Sequence, residues 1–230
     1  PEHAALGVLS EDPQHLAALP GGFGVLGDVG AGLAALAASV RRREPPLPCP
    51  RAPAPLPGMT QAHVLARLAA LRPADAMLVE EAPTARGAMH DHLPVTSEKG
   101  FFTCASGGLG YGLPAAIGVA RGSGTRKVIA LLGDGSAMYT IQGLWSAAEQ
   151  GARVSFLILN NGRYAALDHF AKLFAMNRLP GTDITGIDFV ALAGGMGVPA
   201  RRVSDVADLD AALAWSLAAI GPTLVELMVG

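Results

Sequence analysis

Leu131-Leu-Gly-Asp-Gly-Ser136 closes one short apolar run, and Leu157-Ile-Leu-Asn-Asn-Gly162 closes the next. Asp134 and Asn161 are 27 positions apart. A turn, a helix and a second strand fit that length. Both side chains are therefore expected at the carboxyl edge of neighbouring parallel strands, where open α/β sheets bind their ligands.

The flanking pattern extends this reading. Lys127–Leu132 and Val154–Leu159 are the two apolar strands, and Ile141–Gln150 is the helix between them. Upstream, Thr60 caps a helix over 60–72, and Ala76–Glu80 is a strand. Downstream, Asp188–Gly195 and Val206–Ala219 are helices, and Thr223–Val229 is a last strand. Short continuous apolar strands alternating with helices predict an α/β fold, a parallel sheet covered by helices on both faces.

The first 44 residues form a separate strand–turn–helix pattern. Ala5–Leu9 is a short apolar run. A helix over 29–41 is expected to end in Arg41-Arg-Arg43, basic residues suiting the negative end of a helix dipole. Residues 45–58 (PPLPCPRAPAPLPG) are mostly Pro, Ala and Leu. Consecutive prolines remove amide donors and fix φ, which predicts a linker. The division is thus 1–44, linker 45–58, and a main domain over 59–230.

Composition excludes several classes. The chain is 50% hydrophobic and 16% charged, so it buries a core and is not of disordered type. A net charge of -2 gives no footing for nucleic acid or an anionic membrane surface. No apolar run approaches the ~20 residues of a membrane span. Two cysteines, Cys49 and Cys104, make no disulfide framework and fit a reducing, cytoplasmic compartment. The chain opens without a leader pattern and without Met, which suggests part of a longer protein.

The paired strand ends carry chemistry. Asp134 and Asn161 offer oxygen ligands, and the turn after Asn161 offers a carbonyl. Few hard oxygens, with room for phosphate oxygens, suit Mg²⁺. Gly133 and Gly135 let a ligand approach the backbone, and Ser136 and Ala137 open the next helix, whose free amides attract phosphate. A diphosphate held by Mg²⁺ and a helix N-terminus follows. Each half alone is an ordinary turn; the pairing at strand ends makes the signal specific.

Gly133-Asp-Gly135 with Asn160-Asn161 resembles the cofactor motif of the thiamin-diphosphate decarboxylase and acetohydroxyacid synthase superfamily. The resemblance implies Mg²⁺ ligation by Asp134, Asn161 and the carbonyl of Arg163. A second stretch, Cys104-Ala-Ser-Gly-Gly-Leu-Gly-Tyr-Gly-Leu-Pro-Ala-Ala-Ile-Gly-Val119, is similar to the family's aminopyrimidine region. It implies that the Gly107 carbonyl accepts from the 4′-amino group, beside Gly108, and that Leu109 wedges the cofactor into a V shape. Taken from the residues alone, this stretch reads rather as a glycine-rich loop and helix start with Leu109 in a core.

Within the superfamily, Gly135–Ala148, Asn160–Leu167, Phe170 and Pro180–Phe189 look most like the benzoylformate decarboxylases, and residues 6–40 resemble the end of their central α/β domain. Tyr164 joins the implied cofactor set. Substrate-pocket positions fall on Ala166 and Phe170, and on Thr182 where the family has an apolar residue. The implied reaction is non-oxidative decarboxylation of an aryl 2-oxo acid to an aldehyde and CO₂. The pyrimidine-activating glutamate and the acid–base histidines are implied in an N-terminal domain absent here, packed across the interface of a homodimer or homotetramer. The 230 residues alone are therefore expected to be inactive. An acetolactate synthase-like or benzaldehyde lyase-like carboligase is the second enzyme reading; a cofactor-binding module without catalysis and a nucleotide-binding Rossmann domain are the others.

Five weaker features complete the expectations. His90-Asp-His92 has metal-like spacing without a third ligand and reads as a loop, solvated or lining the cofactor entrance. Cys104 reads as a small buried thiol. Gly22-Phe-Gly-Val-Leu-Gly27 matches a dinucleotide fingerprint by letters but follows no apolar strand, and reads as a turn and short strand. Glu80-Glu81 ends a strand at the ligand edge, facing either a cofactor or a salt bridge. Trp145 and Trp215 read as core.

Overall fold

The computed structural model describes residues 5–41, 52–176 and 179–230. The chain divides into two compact units, Pro1–Pro50 and Arg51–Gly230.

In the first unit β1 (Gly7–Ser10) and β2 (Phe23–Leu26) form a parallel pair, with α1 (Pro13–Ala17) and α2 (Val29–Ser39). Asp28 caps α2, accepting the Ala31 amide at 2.6 Å. α2 ends at Ser39, and Val40 is already extended. The basic run therefore starts beyond the helix and not in its last turn; Arg42 and Arg43 lie outside the described residues. Residues 45–51 of the linker stretch, Cys49 among them, also lie outside them. Gly22 takes a left-handed φ of 94°, and 23–26 is a strand, so the fingerprint letters form no phosphate loop. Phe23, Val25, Leu26, Leu33 and Leu36 are exposed. Two strands and two helices are too few to enclose them.

The second unit is a six-stranded, all-parallel sheet in the order β4-β3-β5-β6-β8-β7. Its strands are β3 (Met77–Glu81), β4 (Phe101–Thr103), β5 (Val128–Gly133), β6 (Val154–Asn160), β7 (Ala200–Val203) and β8 (Thr223–Met228). Side chains alternate across a strand, so each apolar run feeds two cores. One face buries Leu78, Ile129, Leu131, Leu157, Val225 and Leu227 under α3 (Gln61–Leu71), α4 (Arg86–His92) and α10 (Val206–Ala218). The other buries Val79, Ala130, Leu132, Phe156, Ile158 and Leu224 under α5 (Gly112–Gly122), α7 (Gly143–Glu149) and α9 (Phe189–Gly195). Burying one such side chain fully is worth about 1.5–3 kcal/mol. Thr60 caps α3 through the His63 amide at 3.2 Å.

Two expectations fail here. His90, Asp91 and His92 lie in the last turn of α4, a helix and not a loop; Met89 beside them is buried and anchors that turn to the sheet. Trp145 is 59% exposed. α7 is only seven residues long and buries Leu144 and Ala147, so the intervening Trp145 faces outward. Trp215 does pack against the core, with Arg201 stacked 4.2 Å from its ring.

Topology fixes where a ligand goes. From β3 the chain leaves to one face through α4; from β5 it leaves to the other through α6 (Asp134–Met138) and α7. Neighbouring strands whose connections part to opposite faces open a crevice at their carboxyl ends.

Candidate active site

A groove of about 560 Å³ occupies that crevice. Its floor is the carboxyl ends of β3, β4, β5 and β6: Glu80 and Glu81, Cys104, Gly133 and Asp134, and Asn161. Gly107, Gly108 and Leu109 line one side, Gly135 and Ser136 the floor beyond Asp134, and Arg163, Tyr164, Ala166 and Phe170 the other side. Apart from Ala137 and Thr182, every residue singled out in sequence as catalytic, cofactor-binding, metal-ligating or substrate-facing thus lines one groove. Thr182 differs: it is buried, its carbonyl accepts the Tyr164 amide at 2.7 Å, and neighbouring Gly181 lines the groove instead.

Register places Gly133 opposite Leu159, so Asp134 stands beside the Asn160-Asn161-Gly162 turn. The carboxylate of Asp134 accepts two backbone amides, Gly135 on Oδ1 and Gly162 on Oδ2, each at 2.8 Å. Gly162 reaches this position with a left-handed φ of 70°, which a side chain would strain. Asn161 accepts the Arg163 amide at 3.1 Å, an Asx turn that fixes its side-chain oxygen. The Arg163–Asp183 bridge is closed by Tyr164 N–H to Thr182 and Ile184 N–H to Gly162. In such a pair the carbonyl of Arg163 turns away from the Thr182–Ile184 segment.

Asp134 is only 4% exposed, and no cationic side chain pairs with it among the described residues. Arg163, next to the Asn160-Asn161-Gly162 turn, pairs with Asp168 and Asp183 instead. Burial raises the Asp134 pKa, and the Gly135 and Gly162 amides oppose that rise. A buried carboxylate without a counter-cation is costly. One carboxylate, one amide oxygen and one outward-turned carbonyl are hard, oxygen-only donors, and the set fits a divalent cation of the Mg²⁺ type. Among the described residues there is no cluster of three His, Cys, Asp or Glu, so thiolate or imidazole metal chemistry has no donor set.

Two features surpass the sequence reading. Glu80 and Glu81 are both buried and point to opposite faces of the sheet. Glu80 takes the Arg86 guanidinium, the Thr103 hydroxyl at 2.8 Å and the Ala82 amide at 2.7 Å. Glu81 accepts the amides of Gly110 (2.6 Å) and Gly112, and so pins the loop that carries Gly107–Leu109 to the start of α5. The signal for this was two adjacent carboxylates at the end of an apolar strand. Cys104, expected to be buried, is half-buried and faces the groove. Its sulfur lies 3.1 Å from the Ser106 hydroxyl, and that hydrogen bond lowers the thiol pKa.

Residues 84–227 match the family described as "Thiamine pyrophosphate enzyme, C-terminal TPP binding domain". The chain belongs to this family of thiamine pyrophosphate (thiamin diphosphate) enzymes. Over 235 aligned residues it is 39% identical to the benzoylformate decarboxylase of Pseudomonas aeruginosa, covering 99% of this chain and 44% of that protein. The solved structure of a thiamine diphosphate-dependent 4-hydroxybenzoylformate decarboxylase from Rhodococcus jostii superposes with a TM-score of 0.88 at 39% identity, covering 100% of this chain and 45% of that one. A mitochondrial acetolactate synthase catalytic subunit of Saccharomyces cerevisiae is 39% identical over 127 residues, 54% of this chain and 18% of that protein. The chain therefore spans less than half the length of these relatives. None of the described helices is long and apolar enough to cross a membrane.

Proposed function

We propose that this chain supplies the diphosphate- and metal-binding side of the active site of a thiamin-diphosphate- and Mg²⁺-dependent decarboxylase. The substrate is an aryl 2-oxo acid such as benzoylformate, and the products are the aldehyde and CO₂. The observation that carries the reading is Asp134: a buried carboxylate without a counter-cation among the described residues, hydrogen-bonded to the turn that presents Asn161, in the groove that also holds Gly107–Leu109 and Ala166, Leu167 and Phe170.

Asp134, Asn161 and the Arg163 carbonyl would hold Mg²⁺, and Gly133, Gly135, Ser136 and Tyr164 would flank the diphosphate. When bound, the cofactor supplies a cationic ring that accepts the electron pair released with CO₂. Gly107 and Gly108 offer backbone to the pyrimidine. Leu109 is 37% exposed and stands in the groove free to wedge the cofactor. Ala166, Leu167 and Phe170 make one wall apolar, which suits a phenyl ring and excludes water. The small side chain at Ala166 leaves room for the ring.

Further parts of the site come from outside these residues. An N-terminal domain, contributed across a dimer interface, would bring the pyrimidine-activating glutamate and the acid–base histidines. The exposed apolar surface of the first unit suits the end of a larger central domain.

The whole-chain similarity to a benzoylformate decarboxylase supports an aryl substrate. A carboligase reading rests on the shorter acetolactate synthase match. Assay of the full-length enzyme with benzoylformate and with pyruvate separates them. Benzaldehyde and CO₂ from benzoylformate are expected; acetolactate from pyruvate, without turnover of benzoylformate, would overturn the proposal.

A further inference from the structure

Behind the Asn160-Asn161 turn, away from the groove, lies a line of polar groups that the site itself does not use. Glu226 is in β8, one strand from the sheet edge, between Val225 and Leu227, and is 1% exposed. Register sets it opposite Ile158 on β6 and Arg202 on β7. Asn160 is two residues beyond Ile158 and shares its face. Arg202 donates to Glu226 Oε2 at 2.8 Å and to Asp188 Oδ1 at 2.7 Å. Asp188 in turn caps α9 through the Ala191 amide at 3.1 Å. On its other oxygen Glu226 accepts the Asn160 Nδ2 at 2.7 Å. Asn160 Oδ1 then accepts the Gly162 amide at 3.0 Å, the same N–H that binds Asp134 Oδ2 at 2.8 Å.

Stability does not explain a carboxylate here. A buried ion pair does no better on average than apolar residues of the same size, and Val225, Leu227 and the facing Ile158 around Glu226 are all buried and apolar. Its chemistry explains more. An ionised carboxylate only accepts, so it forces the amide of Asn160 to present its nitrogen. The oxygen must then face the Gly162 amide. That fixes the turn in which Gly162 also meets Asp134.

We infer that Glu226 is a positioning residue for the cofactor's metal site, acting through Asn160 to hold Asn161 and the Arg163 carbonyl beside Asp134. The inference rests on the metal-site reading above. Arg202 keeps Glu226 in register from the edge strand, and Asp188 ties that edge to α9. Outer partners of this kind typically change metal affinity by about 10–100-fold when removed.

The test uses the full-length enzyme and reads the Mg²⁺ concentration at half-maximal thiamin diphosphate binding, by calorimetry. Glu226→Gln is expected to raise it about tenfold or more. The glutamine amide can donate to Asn160 Oδ1, turn that side chain over, and release the Gly162 amide. The urea midpoint of the cofactor-free protein should change little. The reciprocal variant Asn160→Asp/Glu226→Gln restores one donor facing one acceptor and should recover most of the lost affinity.

An unchanged Mg²⁺ dependence in Glu226→Gln, with binding lost in Asp134→Ala, would overturn the inference alone. So would a loss that follows the urea midpoint and is not recovered in the reciprocal variant, which would make Glu226 merely structural. Normal binding in Asp134→Ala would overturn the metal site itself, and the inference with it.

Discussion

Asp134, at the end of β5, and Gly162, just past the end of β6, are joined by a 2.8 Å hydrogen bond from the Gly162 amide to the Asp134 carboxylate. Two strand ends that sequence only spaces are thereby locked into one site. The bond orients Asp134 and at the same time fixes the turn that presents Asn161.

Gly135 is the tightest point of that site. A Cβ there would stand 2.4 Å from Tyr164 Cε1, 2.6 Å from its Cδ1 and 3.0 Å from Ile184 Cδ1. Gly135→Ala should therefore cost about 1–3 kcal/mol, the range for overpacking, read from urea denaturation. The cost should shrink in a Tyr164→Ala background, because the ring is the obstacle. An equal cost in both backgrounds would contradict this contact.

Glu81 carries a separate prediction. Glu81→Ala leaves the Gly110 and Gly112 amides without their acceptor. Each unsatisfied buried amide costs about 1–3 kcal/mol, so a loss on the order of 3 kcal/mol is expected in urea denaturation. Glu81→Gln keeps one accepting oxygen and should lose less. Cofactor affinity should fall in both, because the same loop presents Gly107–Leu109.

Lys127 precedes β5 at the opposite, amino edge of the sheet. Burial, with a smaller contribution from the Arg153 charge, lowers its pKa to about 8, and its ammonium donates to the Ala219 carbonyl at 3.0 Å. Below about pH 8 the lysine is charged in both folded and unfolded chains, and its cost is constant. Between about 8 and 10.5 the unfolded chain binds more protons, so stability rises with pH. Melting temperatures of wild type and Lys127→Met should therefore shift in favour of wild type from pH 7 to pH 9.5. A constant difference would contradict the burial effect.

Legibility followed local chemistry. Val128–Gly133, Val154–Asn160 and Thr223–Met228 are predominantly apolar, and each was readable as a buried parallel strand. Two edge strands were not. Phe101–Thr103 is three residues long, and Ala200–Val203 carries two arginines, one of them tied to Glu226. Edge strands are half solvated, so they lack the apolar signature. Asp134 and Asn161 were legible because glycines and strand ends frame them. Glu226 was not, and Glu81 was legible only as a carboxylate at the ligand edge, because nothing local says that a carboxylate will be buried against amides brought by another element. Trp145 misled for the same reason: helical spacing does not say which face of a seven-residue helix meets the sheet.

The central claim is that Asp134 and Asn161 grip one divalent ion that anchors a diphosphate. Calorimetric titration of thiamin diphosphate into the full-length enzyme, with and without Mg²⁺, tests it most directly in wild type and Asp134→Ala. Tight binding that requires Mg²⁺ in wild type, and is lost in Asp134→Ala while the circular dichroism spectrum is kept, is the predicted result. Wild-type affinity in Asp134→Ala, or cofactor binding indifferent to Mg²⁺, would contradict it.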